Sequence, residues 1–222
     1  YRVDLRLRPD GKNGANSIGI HALYSYMKDR AAIWEWLAYV KLRGIAGNLT
    51  IAKLVELETR SIIHEAAVKT DAEQLRSETR RIRKLLEVKK GANPKSKDID
   101  IKFGEGGLQD IYFAIRYLQL RDNIADDEEN RASLNSLQKL YSNESLTVED
   151  FTSLSEGYEF LSEVDHNLRL AVGRSTRLPY ANQKVLKVIA KRMESGSVNE
   201  LLERLTFHRL NVHAAFESVI SS

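Results

Sequence analysis

The chain has 222 residues, of which 34 are Lys or Arg and 31 are Asp or Glu, for a formal net charge of +3. At 42% hydrophobic and 29% charged it is no disordered chain, and it is long enough for one large domain or two small ones. The small net charge gives little support to a nucleic-acid partner, and the absence of Cys excludes disulfide and thiol chemistry, which fits a reducing cytoplasm.

The first stretch, YRVDLRLRPDG, alternates as a strand does. Tyr1, Val3, Leu5 and Leu7 share one face, and Arg2, Asp4, Arg6 and Arg8 share the other. It starts without Met and enters a strand at once, as a fragment or a trimmed numbering would. The following PDGKNGANSIG is dense in Gly, Asn and Pro and reads as a turn or loop. From His21 the periodicity is helical almost to the end. HALYSYMKDRAAIWEWLAYVKLR predicts one long helix or two abutting ones, stopped by Gly44 and Gly47. A helix from about Leu49 to Ala67 follows, then one opened by the capping-box candidate Thr70–Asp71–x–x–Gln74 that runs through RRIRKLLEVKK. GANPKSKDIDIKFGEGG breaks the helices, and its DIDIKF is a candidate short strand. Leu108, Ile111, Tyr112, Ile115 and Leu118 form the next helical stripe. TVED and SVNE then cap two further helices, the first placing Phe151, Leu154, Tyr158, Leu161, Leu168 and Val172 on one face and the last placing Leu201, Leu205, Val212, Phe216 and Val219 together. No apolar run approaches the roughly 18 residues that span a bilayer; AAIWEWLAYV is short and interrupted by Glu35. The expected fold is mainly α, a helical bundle following a short β portion.

Asp4 is the sharpest chemical candidate. Phosphoryl and nucleotidyl transfer by hard divalent cations needs carboxylate ligands, and arginines beside such a carboxylate keep it ionised and offer donors to a triphosphate. Pattern alone favours an exposed edge strand with alternating charges. DIKFGEGGLQD is the second candidate, since Gly104, Gly106 and Gly107 precede a helix N-terminus, where free N–H groups can hold an anion. Glu105 and Asp110 would repel one there, and a tight strand-to-helix turn explains the same glycines. The spacing is not that of a P-loop. His208 falls at core spacing, and its separation from His213 is poor for a shared metal. Asp165 has Arg169 as its local partner at i+4. The nine Lys and Arg residues from Arg76 to Lys97 have no aromatic residue among them, so they read as a solvated helix face rather than a nucleic-acid surface.

Four stretches in order, VDLRLRPDGKNG, WEWLAYVKLRGIAGN, DIKFGEGGLQDIYF and FLSEVDHNLRL with a later LP, resemble the bacterial glutamine synthetase adenylyltransferase/deadenylylase family, within the nucleotidyltransferase superfamily. The resemblance implies a short β remnant of a nucleotidyltransferase α/β domain in residues 1–47, connecting helices and a loop in 48–107, and a helical bundle in 108–222. It implies that Asp4 is the third metal carboxylate, holding Mg2+ or Mn2+ with ATP as substrate. It assigns Arg6, Arg8, Lys41, Arg43, Lys102, Gly106 and Gly107 to nucleotide or phosphate binding. Trp34, Glu35 and Asp110 are assigned to structure or interface, and anchoring of the bundle is as good a role for the DIKFGEGGLQD element as ligand contact. The partners implied are glutamine synthetase and a PII-type regulatory protein. Two departures stand out. The family's G-S-x-D-x-D segment, with two metal carboxylates, is absent from these residues, so the stretch alone is expected to be inactive. Tyr112 also stands where the family has Glu. The competing reading is a non-catalytic helical protein-binding or regulatory module.

Overall fold

A computed structural model describes residues 8–91, 98–126, 130–173 and 175–222. The opening strand, with Asp4 and Arg6, lies outside the described residues. Among the described residues there are nine α-helices and one two-stranded antiparallel ribbon, so the chain is mainly α. It divides into two compact units, one comprising Tyr1–Thr79 with Arg116–Glu128 and the other Arg80–Ile115 with Glu129–Ser222. The division falls inside two helices, α4 (Ala72–Leu86) and α5 (Leu108–Arg121).

In the first unit, the predicted long helix is two: α1 (Ile20–Asp29) and α2 (Ile33–Tyr39). The break between them is stabilised by Glu35, whose carboxylate accepts from Ala32 N at 3.0 Å, three residues back. α3 (Leu49–Lys69) starts where Asn48 Oδ1 accepts from Thr50 and Ile51 N at 3.1 Å, and it packs against α1 and α2. Met27, Leu37, Val40 and Ile63 form the centre of this core. Asp71 caps α4 by accepting from Gln74 N at 2.9 Å.

In the second unit, DIDIKF yields only a two-residue strand, β1 (Ile99–Asp100), paired antiparallel with β2 (Arg177–Leu178) in the register Ile99 to Leu178. α6 (Ser133–Ser142), α7 (Val148–Val172), α8 (Gln183–Arg192) and α9 (Val198–Ser221) follow. Both predicted caps form: Thr147 Oγ1 accepts from Asp150 N at 3.0 Å, and Ser197 Oγ accepts from Glu200 N at 3.1 Å. α7 and α9 are the main packing pair, and α7 also contacts α6 and α8. Leu154, Leu161, Leu168, Leu201 and Leu205 are at most 1% exposed, as the periodicity requires, whereas Phe151 and Tyr158 are half-buried and Val172, at the end of α7, is 39% exposed. No helix among the described residues is long and apolar enough to cross a membrane.

Candidate functional site

The residues singled out by sequence divide between the two units. Arg8, Trp34, Glu35, Lys41 and Arg43 belong to the first, and Lys102, Gly106, Gly107 and Asp110 to the second.

In the first unit Arg8 opens a turn closed by a hydrogen bond from Gly11 N to Arg8 O at 2.9 Å, and its own Nε donates to Gly14 O at 3.0 Å. Pro9 and Asp10 are the central residues of that turn. Asp10 has φ 60° and ψ 14°, the left-handed conformation that a type II turn requires at its third position and that glycine usually supplies. Three contacts hold it there. Asp10 N donates to Tyr26 Oη at 3.2 Å, Tyr26 Oη donates to Glu35 Oε1 at 2.7 Å, and Arg30 Nη2 donates to both Asp10 oxygens at 2.8 and 3.0 Å. The Arg30 guanidinium also lies 4.8 Å from the centroid of the Tyr26 ring. Burial raises the Tyr26 phenol above its ordinary pKa, and Glu35 adds to the rise, so Tyr26 remains a protonated donor. Burial and the Glu35 charge push Tyr39 up to about 12. Glu35 is therefore buried and fully engaged, while Trp34 beside it is 39% exposed.

Lys41 Nζ lies 2.8 Å from Asp126 Oδ2, whose other oxygen accepts from Gln119 Nε2. Asp126 belongs to a buried polar group with Arg60 and His64. Burial first, and then the Arg60 charge, lowers the His64 pKa below 6.5. Arg43 is exposed and lines an apolar groove of about 350 Å³ with Ile20, Leu23, Ile51 and Val55. Next to it, Gly44 N donates to the buried Glu56 carboxylate at 2.9 Å.

In the second unit the glycine-rich element is a strand-to-helix joint built around two buried carboxylates. Asp100 Oδ1 accepts from Lys102 N at 3.0 Å and Phe103 N at 2.7 Å, and Asp100 Oδ2 accepts from Thr176 Oγ1 at 3.2 Å. Asp110, 1% exposed, accepts from Gly106 N at 2.7 Å and from Arg83 Nε. Arg83 also donates to Gly104 O at 2.9 Å, and Arg209 Nε to Glu105 O at 3.0 Å. Gly106 sits at φ 66° with Arg209 O only 2.0 Å from where a Cβ would stand, so glycine is required twice over. Gly106 N–H is given to Asp110, and Gly107 N donates to Gly104 O at 3.0 Å. Lys102 Nζ rests 5.5 Å from the Phe103 ring centroid. His213 Nδ1 lies 3.6 Å from Asp110 Oδ2, at ion-pair rather than hydrogen-bond distance. The Asp110 carboxylate, with Glu105 adding to it against the opposing effect of burial, raises the His213 pKa above 6.5.

Arg83 is 3% exposed, which corrects the expectation that the whole Arg76–Lys97 run is a solvated face. The signal was present: Leu75, Thr79 and Arg83 follow one another at i, i+4 and i+8, and all three are buried. Tyr26, Arg30, Arg209 and His213 were not singled out for these contacts, which join positions 9 to 104 residues apart. The expected pair does form at Asp165 and Arg169, at 2.9 Å, and His208 is half-buried, stacked on Phe160 at 4.5 Å between centroids. Among the described residues no three of His, Asp and Glu converge as metal ligands, and Asp4 is not among them.

Comparison with known proteins assigns the two ends of the chain to two family models. Residues 79–220 match the model described as GlnD PII-uridylyltransferase, and residues 1–57 match that of glutamate-ammonia ligase adenylyltransferase. The whole chain aligns with a bifunctional glutamine synthetase adenylyltransferase/adenylyl-removing enzyme from Nitrosomonas eutropha at 31% identity over 226 residues, which is 24% of that protein. An enzyme of the same description from Pseudomonas syringae pv. tomato is 31% identical over 224 residues, again covering all of this chain and 22% of the relative. One from Vibrio parahaemolyticus is 28% identical over 226 residues, or 23% of its length. The chain thus spans about a quarter of the length of these relatives.

Proposed function

The chain belongs to the family of bacterial bifunctional glutamine synthetase adenylyltransferase/adenylyl-removing enzymes, and on that premise we propose that it is part of a nucleotidyltransferase unit that transfers AMP to, or removes it from, glutamine synthetase. The observation that carries this reading is the order of the two family matches on one chain, with relatives of a single description aligned from end to end.

Within the proposal, residues 1–47 are the C-terminal part of the nucleotidyltransferase domain, 48–107 connect, and 108–222 form the bundle domain. Asp4 is the carboxylate this chain gives to a divalent cation, Mg2+ or Mn2+, whose chemistry is to neutralise and orient the phosphates of ATP. Arg6 and Arg8 act as donors to those phosphates. Arg43 and Lys102 keep the same assignment. Lys41, paired with Asp126, and Gly106 and Gly107, whose N–H groups are donated inside the joint, are read as supports. Glu35 and Asp110 are supports as well: each is buried and hydrogen-bonded within the protein.

A second reading, a non-catalytic protein-binding role for the bundle, is favoured by one surface. Tyr180, Phe207 and Leu210 are 45%, 57% and 63% exposed and line, with Ile99 and Leu202, a groove of about 520 Å³. Glutamine synthetase or a PII-type regulatory protein is the occupant that this reading names.

The experiment is transfer of label from α-labelled ATP, with Mg2+, to glutamine synthetase by the full-length enzyme containing this chain, run alongside release of AMP from the adenylylated target. Label moving in either direction is the expected result. Labelling of neither, with the isolated chain still binding glutamine synthetase in titration, would replace the first reading by the second.

A further inference from the structure

Backbone held in a rarely populated conformation persists only where its surroundings over-determine it, and such positions gather at functional sites. Among the described residues four non-glycine positions have positive φ: Asp10, Asn123, Glu144 and Glu194. Asn143–Glu144 and Met193–Glu194 follow the last turns of α6 and α8, where a left-handed residue ends a helix. Asn123 likewise follows α5, whose last residue is Arg121. Asp10 has no such explanation. It lies in a four-residue turn just after the stretch that resembles a metal-carboxylate strand, and it precedes a three-residue 3-10 turn, Gly11–Asn13.

The contacts at Asp10 fix the backbone as well as the side chain. The Arg30 pair is largely exposed, with side chains 60% and 54% accessible, so it is screened and weak by itself. The stronger element is internal: Tyr26 is 8% exposed and Glu35 4%, and the phenol bridges the Asp10 N–H to the Glu35 carboxylate. Glu35 is in turn held by Ala32 N at 3.0 Å, at the first turn of α2. A chain of three hydrogen bonds therefore runs from the α1–α2 corner to the one N–H that orients a left-handed aspartate. On the other side of the turn, Arg8 is fixed through Gly11 N on its carbonyl and through its own Nε on Gly14 O.

We propose that Tyr26 is a positioning residue for nucleotidyl transfer: with Glu35 behind it, it locks the Arg8–Pro9–Asp10–Gly11 turn so that Arg8 is held ready for the phosphates of ATP. The inference rests on the functional reading above. The tyrosine touches no substrate and acts only through the turn. Its hydroxyl, not its ring, is the working part, because only the hydroxyl reaches Asp10 N. Misplacing a phosphate-binding group by a fraction of an ångström lowers the rate far more than it lowers binding, since orientation is expressed mainly in the transition state.

The test uses the full-length enzyme and steady-state AMP transfer from Mg-ATP to glutamine synthetase. Tyr26→Phe keeps the ring and removes the bridge; kcat is expected to fall about tenfold or more, with a smaller change in KM for ATP. Asp10→Gly added to Tyr26→Phe supplies a residue that adopts the left-handed turn unaided, and it is expected to restore most of the lost kcat. Arg30→Gln, at an exposed position, is the second probe, with a loss in the same direction but smaller. Wild-type kcat in Tyr26→Phe overturns the proposal. So does a loss that Asp10→Gly fails to rescue, which would assign the tyrosine to packing alone. An Asp4→Asn arm separates the two levels: if that variant transfers AMP normally, the functional reading of the strand has failed, whatever Tyr26 does.

Discussion

Asp110 is surrounded at close range by charged groups from distant parts of the chain: Arg83 from α4 and His213 from α9 both face it, and it also caps Gly106 N. A buried ion pair adds little net stability, but breaking one leaves an uncompensated charge, at a cost of about 3–5 kcal/mol. Asp110→Asn is therefore expected to lower the denaturant midpoint of the chain sharply, whereas Asp165→Asn, whose partner Arg169 is half exposed, should lower it little. Of the three histidines with displaced pKa values, His213 is raised while His64 and His208 are lowered. His213 is raised by Asp110, then by Glu105 and Glu217, so the stability it contributes is fully present below pH 6.5 and is lost as pH rises through its folded pKa. His64 is lowered by burial and Arg60, so its neutral form is favoured, and a penalty appears as pH falls below 6.5 through its lower folded pKa. Unfolding free energies measured across this range should show the cost of His213→Gln shrinking toward high pH. His64→Gln should relieve destabilisation only on the acid side. A cost of His213→Gln that does not vary with pH would remove Asp110 as the source of its shift.

At the scale of elements, α7 and α9 cross closely because Gly157 offers no side chain: a Cβ there would meet Val212 Cγ2 at 2.2 Å. Mid-helix glycine costs about 1 kcal/mol relative to alanine, so its presence marks the contact as the stronger demand. Gly157→Ala alone is expected to destabilise by about 1–3 kcal/mol through overpacking. Combined with Val212→Ala, which removes the clashing methyls, it should cost less than the sum of the two single changes, a coupling that thermal unfolding of the four-member cycle reads directly. These two helices were also the most legible in the sequence. Each has a hydroxyl cap with an acidic residue three positions on and an apolar stripe of roughly four turns or more, so local and tertiary signals agree. α6 and α8 were not singled out, being only ten residues each, with polar and basic residues diluting the stripe. The joint at Asp100–Asp110 was legible as a turn, because glycines and carboxylates with unmet backbone donors are local features. Its tertiary locks were not, because Arg83, Arg209 and His213 look in sequence like ordinary charges on amphipathic helices, and only the fold decides which of them turns inward.

For the whole chain, the family was legible from motif order, while the chemistry rests on fewer residues. Two compact units carry the motifs: the first the Arg8 turn with its Tyr26–Glu35 support, the second the buried carboxylate joint and the α7–α9 core. The relatives are about four times longer than this chain. Asp4 is the one residue here on which the proposed reaction turns, and local pattern alone favours an edge-strand aspartate. The most direct measurement is thus AMP transfer to glutamine synthetase by the full-length enzyme bearing Asp4→Asn, against the unaltered enzyme, at saturating Mg-ATP. Loss of a metal carboxylate predicts a fall of several orders of magnitude in rate with folding preserved. Transfer at the unaltered rate would contradict the account and remove Asp4 from the proposed metal site.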